Sequence, residues 1–351
     1  MRQIGWKLHI KLLLLVLLIA SASLSIWILL PAPNLMLLPV AIVALEFSPW
    51  LAAFNLIAGV AALRFHRGIA AAFLVLLLVS TLPVVQAFRI PRPRHTAPAA
   101  GRPIVQESLP LGIRHYRPEG EGPFPALIDI YGGAWQFGSA ASDATFNAHL
   151  ASRGYAVYAL EYRHAPAARY PAQIEDVRAA IAFIRENAPR YRTDAARLAV
   201  CGRSSGGELA LLAAYGEGSA PLRGAISIYG PTDLALGYSD VPSPDPIHVR
   251  SVLETYLGGS PAQVPELYRS ASPVNYVRAG LPPTLLIQGG RDHIVKARFA
   301  LELHGKLRAA GNRSTLLEIP WGEHAFDLAF DGIGNRIVLE YVESFLSDVL
   351  R

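Results

Sequence analysis

The chain has 351 residues, 52% of them hydrophobic, and a mean hydropathy of +0.30. Its net charge of +5 comes from 32 basic and 27 acidic residues scattered along the sequence, a distribution that argues against nucleic acid as a partner. Cys201 is the single cysteine, so an intrachain disulfide is excluded and the redox compartment is not readable from thiols.

The apolar excess is concentrated before about residue 88. Residues 12–30 form an unbroken apolar run of about nineteen residues, long enough to cross a bilayer, preceded by Arg2, Lys7 and Lys11. A second run covers residues 35–63 and contains Pro39, Glu46 and Pro49, which predict a tilt or kink. A third covers residues 69–88. Residues 1–88 are therefore expected to form a membrane region of about three transmembrane helices. For the first run a signal peptide is the rival reading, with Ala20-Ser21-Ala22 as a cleavage site. The basic residues before the first run, and Arg64 and Arg67 between the second and third, put the N-terminus in the cytoplasm. Three crossings then carry the remainder to the extracytoplasmic side, although Arg89, Arg92 and Arg94 oppose that orientation. The expected location is a multi-pass membrane protein with the lipid bilayer as a partner. Glu46 is the one ionisable side chain well inside an apolar run. With no partner in the neighbouring runs, it reads as a carboxyl near a kink or in a bundle interior.

Residues 89–103, RIPRPRHTAPAAGRP, lack periodicity and read as an extended spacer. Residues 104–351 then alternate strand-like and helix-like segments. Two strand runs lie in residues 104–116, broken near Pro110 and Gly112; a buried strand follows at 126–131. A helix is expected at 145–152, a strand at 155–160, and a helix of clear 3.6 period at 172–188. Further strands fall at 198–201, 225–229, 284–288 and 315–319, with helices at 208–214, 297–310 and 336–350. This alternation predicts an α/β domain with a doubly wound, mostly parallel sheet, whose site lies at the carboxyl ends of the strands.

Three stretches fall at such ends. The first, Tyr131-Gly132-Gly133-Ala134-Trp135, follows a strand with small residues whose backbone N–H groups can face a substrate oxygen. In the second, Gly202-Arg203-Ser204-Ser205-Gly206 joins an apolar strand to an Ala/Leu-rich helix. That context turns G-x-S-x-G into a mechanism, because a serine on a sharp strand-to-helix turn stands clear of the sheet beside a helix N-terminus. Only Ser204 has glycine at both minus two and plus two, so Ser204 and not Ser205 is the candidate nucleophile.

A serine hydroxyl needs a base, and the base needs an orienting acid. The third stretch supplies both. Asp292 ends the strand run Leu285-Leu286-Ile287-Gln288 after Gly289-Gly290-Arg291, and His324 follows the strand ending at Ile319 and the turn Pro320-Trp321-Gly322-Glu323. The order serine, acid, histidine fits a doubly wound hydrolase. His293 adjoins Asp292, and neighbours in sequence point their side chains apart; His164, His248 and His304 lie mid-chain or on a helix. Asp233, Asp327 and Asp331 compete with Asp292 for the acid. Residues 234–271, rich in Pro, Ser, Tyr and Leu, are expected to form a small lid insert, with Trp135, Tyr238 and Tyr256 as candidate pocket walls.

Taken together, Tyr131-Gly-Gly-Ala-Trp135, Glu161-Tyr162-Arg163-His164-Ala165-Pro166, Pro171-Ala172-Gln173-Ile174-Glu175-Asp176, Gly202-Arg-Ser-Ser-Gly-Gly207, Gly290-Arg-Asp292 and Gly322-Glu-His324-Ala-Phe326 resemble the α/β-hydrolase family. The resemblance is to its esterase branch, related to hormone-sensitive lipase and to bacterial BD-FAE and formamidase-like esterases. It covers residues 104–350. It implies the α/β-hydrolase fold, a serine carboxylesterase acting on small acyl esters, a triad of Ser204, Asp292 and His324, and oxyanion donors at Gly133, Ala134 and Ser205. It implies neither cofactor nor metal. Tyr131 stands where the family usually has a histidine thought to support the loop, which puts loop geometry and substrate preference in question. Tyr162, Arg163 and Asp176 match positions that look structural. An amidase or peptidase and an acyltransferase share the same acyl-enzyme, and an inactive hydrolase-like binding module is the reading from a different class.

Overall fold

The computed structural model describes residues 2–93, 101–216 and 221–351. Part of the expected spacer, residues 94–100, therefore lies outside the described residues. The chain divides into two compact units. One comprises Met1–Pro91 with Gly289–His293 and Ile319–Ile337; the other comprises Arg92–Gln288, Ile294–Glu318 and Val338–Arg351.

The N-terminal part of the first unit is built on α1 (Arg2–Ser25), α2 (Leu38–Glu46), α3 (Ser48–Ala62) and α4 (Arg67–Arg89). Two stretches, Trp6–Ile28 and Arg67–Arg89, are helical, long and apolar enough to cross a membrane. The second apolar run is not one helix. It is a pair, α2 and α3, bent by 71°. Pro49 fits the break, since it occupies the first turn of α3, where a missing N–H costs nothing, whereas Pro39 lies in the first turn of α2, well before the bend. Pro83, by contrast, sits inside α4.

Leu14, Ala58, Ala62, Ala70 and Phe73 pack as a small core between α1, α3 and α4. A buried polar relay ties the same helices together. The Ser21 hydroxyl donates to Asn55 Oδ1 at 2.6 Å, and Asn55 Nδ2 donates to Ser80 Oγ at 3.0 Å. Such bonds add direction to the apolar packing between the three helices.

The second unit is built on an eight-stranded sheet: β1 (Ile104–Ser108), β2 (Arg114–Pro118), β3 (Phe124–Ile130), β4 (Ala156–Ala159), β5 (Thr193–Arg203), β6 (Gly224–Ile228), β7 (Thr284–Gly289) and β8 (Ser314–Ile319). The order is β1-β2-β4-β3-β5-β6-β7-β8. β1, β2 and β4 pair antiparallel, while β4, β3, β5, β6 and β7 run parallel. Every residue of β4, β6 and β7 is buried, as expected of parallel strands covered on both faces.

The covering helices are α5 (Ala144–Ser152), which packs on β1, β2 and β4; α6 (Ala172–Glu186), which packs on α7; and α7 (Ser205–Tyr215), which packs on β3, β5 and β6. Three short helices, α8 (Leu234–Ser239), α9 (Val249–Leu257) and α10 (Pro265–Ser270), make up the expected insert. α11 (Arg298–Ala309) and α12 (Ile333–Val349) close the chain. The register sets Ile130 of β3 beside Gly202 of β5 and Arg203 of β5 beside Ile228 of β6, so three strand ends converge at the serine turn.

Candidate active site

β5 ends at Arg203 and α7 begins at Ser205, leaving Ser204 alone on the turn with φ 50° and ψ −121°. A non-glycine residue there stores roughly 1–3 kcal/mol of strain, so the surroundings must over-determine it. They do so by close approach. A side chain at Gly206 would collide with the carbonyl oxygens of Ile130 and Tyr131, and one at Gly202 would collide with Gly206 itself. The Ser204 N–H donates to Ile228 O at 2.9 Å, and its carbonyl accepts from Gly207 and Glu208 at 2.9 and 3.2 Å. The hydroxyl is thereby placed at the N-terminus of an eleven-residue helix, where negative charge is favoured.

The residue before the serine carries a role the sequence did not disclose. The Arg203 guanidinium is buried, donates to Asp129 Oδ1 at 3.2 Å, pairs with Asp143 Oδ2 at 3.5 Å and lies 4.1 Å over the Phe146 ring. It joins the end of β5 to the end of β3 and the start of α5. Another unforeseen group is Glu208, one helical turn beyond Ser204. Burial pushes its carboxyl well above the ordinary value, and Trp135 Nε1 donates to it at 3.0 Å. The Trp135 ring stacks on Tyr256 at 4.1 Å.

The stretch after β3 forms a tight loop. Gly133, Ala134 and Trp135 all have positive φ, at 139°, 53° and 59°, and the Gly133 carbonyl accepts from the amides of Gln136 and Phe137. Tyr131 supports this loop from below. Its hydroxyl donates to Glu161 Oε1 at 2.8 Å and lies 2.8 Å from His164 Nε2, while Glu161 Oε2 accepts from Ala140 N at 2.9 Å. Burial, together with neighbouring Tyr162 and Glu161, keeps the Tyr131 phenol above its ordinary value and neutral. Arg163 donates from both its backbone N–H and its Nε to the Asp176 carboxylate.

A cavity opens beside the serine turn, lined by Ala134, Trp135, Ser204 and Ser205, by Leu234, Val249 and Leu253 of the insert, and by Phe299. Its volume is about 60 Å³, room for roughly four to six water-sized groups. Of the expected pocket walls, Trp135 belongs to this lining. Tyr238 and Tyr256 do not: Gly237 faces the cavity instead, the Tyr238 hydroxyl donates to Glu254 at 2.6 Å, and Tyr256 lies behind Trp135. At the cavity's edge Asp240 pairs with Lys296 at 2.8 Å and with Arg298 at 2.7 Å.

Asp292 and His324 belong to the other unit, on the loops after β7 and β8. Those loops are laced together by Gly290 N to Ile319 O at 2.8 Å and Arg291 N to Gly322 O at 3.0 Å. The Asp292 carboxylate accepts from His324 Nδ1 at 2.8 Å, with both side chains buried. A second pair runs alongside, since His293 Nδ1 meets Glu323 Oε2 at 2.5 Å. Burial opposes charge on His293, but the Glu323 carboxylate outweighs it and holds the imidazole above its ordinary value. The adjacency expectation for His293 is met, because Asp292 and His293 face different partners on the opposite loop. His164 is engaged with Tyr131, His304 with Ser314, and Asp233 caps α8 by accepting from Leu236 N. Among the described residues, no three His, Cys, Asp or Glu side chains are placed to hold a metal ion.

A family model described as BD-FAE matches residues 114–307. Esterase LipC of Mycobacterium tuberculosis is 33% identical over 244 residues, covering 65% of this chain and 59% of its own length. Esterase LipQ of the same organism is 30% identical over 234 residues, with 63% and 55% covered. Among solved structures, a bacterial heroin esterase superposes with a TM-score of 0.62 at 26% identity, over 71% of this chain and 84% of its own. The chain spans less than two thirds of the length of these sequence relatives.

Proposed function

From the premise that the chain belongs to the BD-FAE family, we propose that it is a membrane-anchored serine carboxylesterase that cleaves small acyl esters through an acyl-enzyme on Ser204. The observation that carries this reading is the buried Asp292–His324 hydrogen bond, made through Nδ1, which leaves Nε2 as the basic atom of the imidazole. His324 Nε2 takes the proton of the Ser204 hydroxyl as its oxygen attacks the ester carbonyl. Asp292 holds the ring and balances the imidazolium charge. The amides of Gly133, Ala134 and Ser205 donate to the tetrahedral oxyanion. The imidazolium then protonates the leaving alcohol, and water, deprotonated by the same nitrogen, hydrolyses the acyl-enzyme.

The cavity supports the substrate class. Its volume of about 60 Å³ and its Leu, Val and Phe lining suit a short apolar acyl chain, and its lining includes Ala134, Ser204 and Ser205. The test is a panel of chromogenic esters of increasing acyl length, run on the full chain in detergent beside fluorophosphonate labelling. Acetyl to butyryl esters are expected to turn over fastest, with labelling lost in Ser204→Ala. A chain that neither labels nor hydrolyses any ester would sink the proposal.

The membrane part of the proposal takes α1, α4 and the bent pair α2–α3 as three crossings, with α2 as the outer, protein-packed arm of its pair; with the N-terminus in the cytoplasm, the catalytic domain then lies outside it. A C-terminal phosphatase fusion should be active and a C-terminal GFP fusion dark; the opposite pattern reverses the orientation.

A further inference from the structure

We propose that Glu46, at the end of α2, is a positioning residue for His324, and so that the N-terminal region sets the geometry of the catalytic loops as well as anchoring the chain. The inference rests on the triad assigned above. Glu46 is 1% exposed, yet it is not an isolated carboxyl. Its Oε1 accepts from Trp321 Nε1 at 2.9 Å, and its Oε2 accepts from the Gly334 N–H at 2.6 Å. Both partners lie on the segment that carries His324, one three residues before it and one ten residues after. A side chain on Gly334 would come within 2.7 Å of the Glu46 carboxylate, so the carboxylate occupies the space that glycine leaves open.

Three physical points make this more than an incidental contact. First, a carboxylate at a helix C-terminus is disfavoured by the helix dipole, and burying it costs several kcal/mol unless donors meet it. Two donors do meet it, one from the histidine loop and one from the first turn of α12 that follows it. Second, Trp321 is itself fully buried, so its ring cannot swing to follow a displaced partner. Third, the same N-terminal region also holds the acid loop, because the Arg291 guanidinium donates to the Ile28 carbonyl immediately before Asp292. α2 differs accordingly from α1 and α4. Leu38, Ala41, Ile42, Ala44 and Leu45 are all buried, whereas Leu12, Leu13, Val16 and Ile19 of α1 and Leu74, Val75 and Leu78 of α4 are exposed. α2 is a packing and docking helix rather than an exposed apolar one.

The test uses the full chain in detergent with two variants. Glu46→Gln presents one N–H₂ to a donor, so one of the two bonds is lost and replaced by a clash of hydrogens. Trp321→Phe keeps a buried ring and deletes only the donor. Active sites are counted by fluorophosphonate titration, and kcat per titrated site is measured with a short-chain ester across pH. A shift of the His324 loop by a fraction of an ångström is expected to lower kcat per site about tenfold to hundredfold in Glu46→Gln and several-fold in Trp321→Phe, with KM changed less than about threefold. The acid limb of the pH profile should move in both, and the double variant should lose no more than Glu46→Gln alone, since the two remove one bond. A kcat per site equal to wild type in Trp321→Phe and in whatever Glu46→Gln folds overturns the proposal, as does a loss confined to the number of titratable sites. An inactive, unlabelled wild type would instead overturn the triad reading itself, so the two failures are told apart.

Discussion

The serine turn and the acid–histidine loops are held by different kinds of force. Ser204 owes its strained backbone largely to its neighbours in sequence: Gly202 lets β5 and α7 approach where no side chain fits and the Glu208 N–H pins the Ser204 carbonyl, while Gly206 makes room for the Ile130 and Tyr131 carbonyls and the Ile228 carbonyl accepts from the Ser204 N–H. The loops with Asp292 and His324 have no such local determinant. They are secured by crossed pairs between two segments some thirty residues apart and by a carboxylate 275 positions upstream of Trp321. A nucleophile must be presented at one fixed angle, which close-packed glycines enforce. A base that accepts and returns a proton needs its ring held by hydrogen bonds, and those can come from anywhere in the chain.

Substitutions can break or sharpen this contrast. The largest effect is expected at Ser204→Ala, which should lower kcat by about four to six orders of magnitude while leaving thermal stability equal or higher, because alanine removes the proposed nucleophile without disturbing the glycine contacts. A variant retaining most of its ester hydrolysis would remove the serine half from the mechanism. Next is Asp292→Asn, expected to cost about 10⁴ in kcat by favouring the wrong histidine tautomer, with KM nearly unchanged. A similar cost in His293→Gln would mean that the two crossed pairs share the work and that the distinction between them is false.

Gly133→Ala probes the proposed oxyanion loop. The added methyl would collide with the Phe137 carbonyl oxygen at a φ of 139°, so the loop must shift and kcat should fall at least about a hundredfold. Ala134→Gly, at a φ of 53° that glycine adopts freely, should cost little. Equal activity in the two would show that the loop does not position donors.

The smallest expected effect is on stability. Burial holds Glu208 well above its ordinary 4.5, so the folded protein keeps a proton that the unfolded chain has already lost. Stability should therefore fall as pH rises above about 4.5, by up to about 1.4 kcal/mol per unit until the raised value is passed. Glu208→Gln removes that dependence. Thermal unfolding between pH 5 and 8 should show the variant gaining on wild type as pH rises; parallel curves would place the Glu208 charge in solvent contact.

Much of the serine half was legible in the linear chain, because its cause is local. The spacing Gly202-x-Ser204-x-Gly206, the strand before it and the helix after it state the turn almost completely, and the alternation of apolar runs states a parallel sheet. Arg203 and Glu208 escaped notice for a physical reason: an arginine inside a motif and a glutamate on an Ala-rich helix read as solvated charges until burial is known. Along α8 it is Gly237, not its neighbour Tyr238, that lines the cavity beside the serine turn. Glu46 escaped for the opposite reason. Its partners, Trp321 and Gly334, lie some three hundred residues away, beyond the reach of any pattern within the apolar runs.

What the sequence determined by itself were features whose energy is paid between near neighbours: helix and strand periodicity, the proline at the break in the second apolar run, and the glycines that fold the serine turn. Only the tertiary structure decided which buried charges find partners, because desolvation makes a lone carboxylate intolerable and the donors that rescue it are chosen by packing, not by proximity along the chain. The Asp292–His324 bond, its His293–Glu323 companion and the Glu46 clasp on Trp321 and Gly334 are all of that second kind.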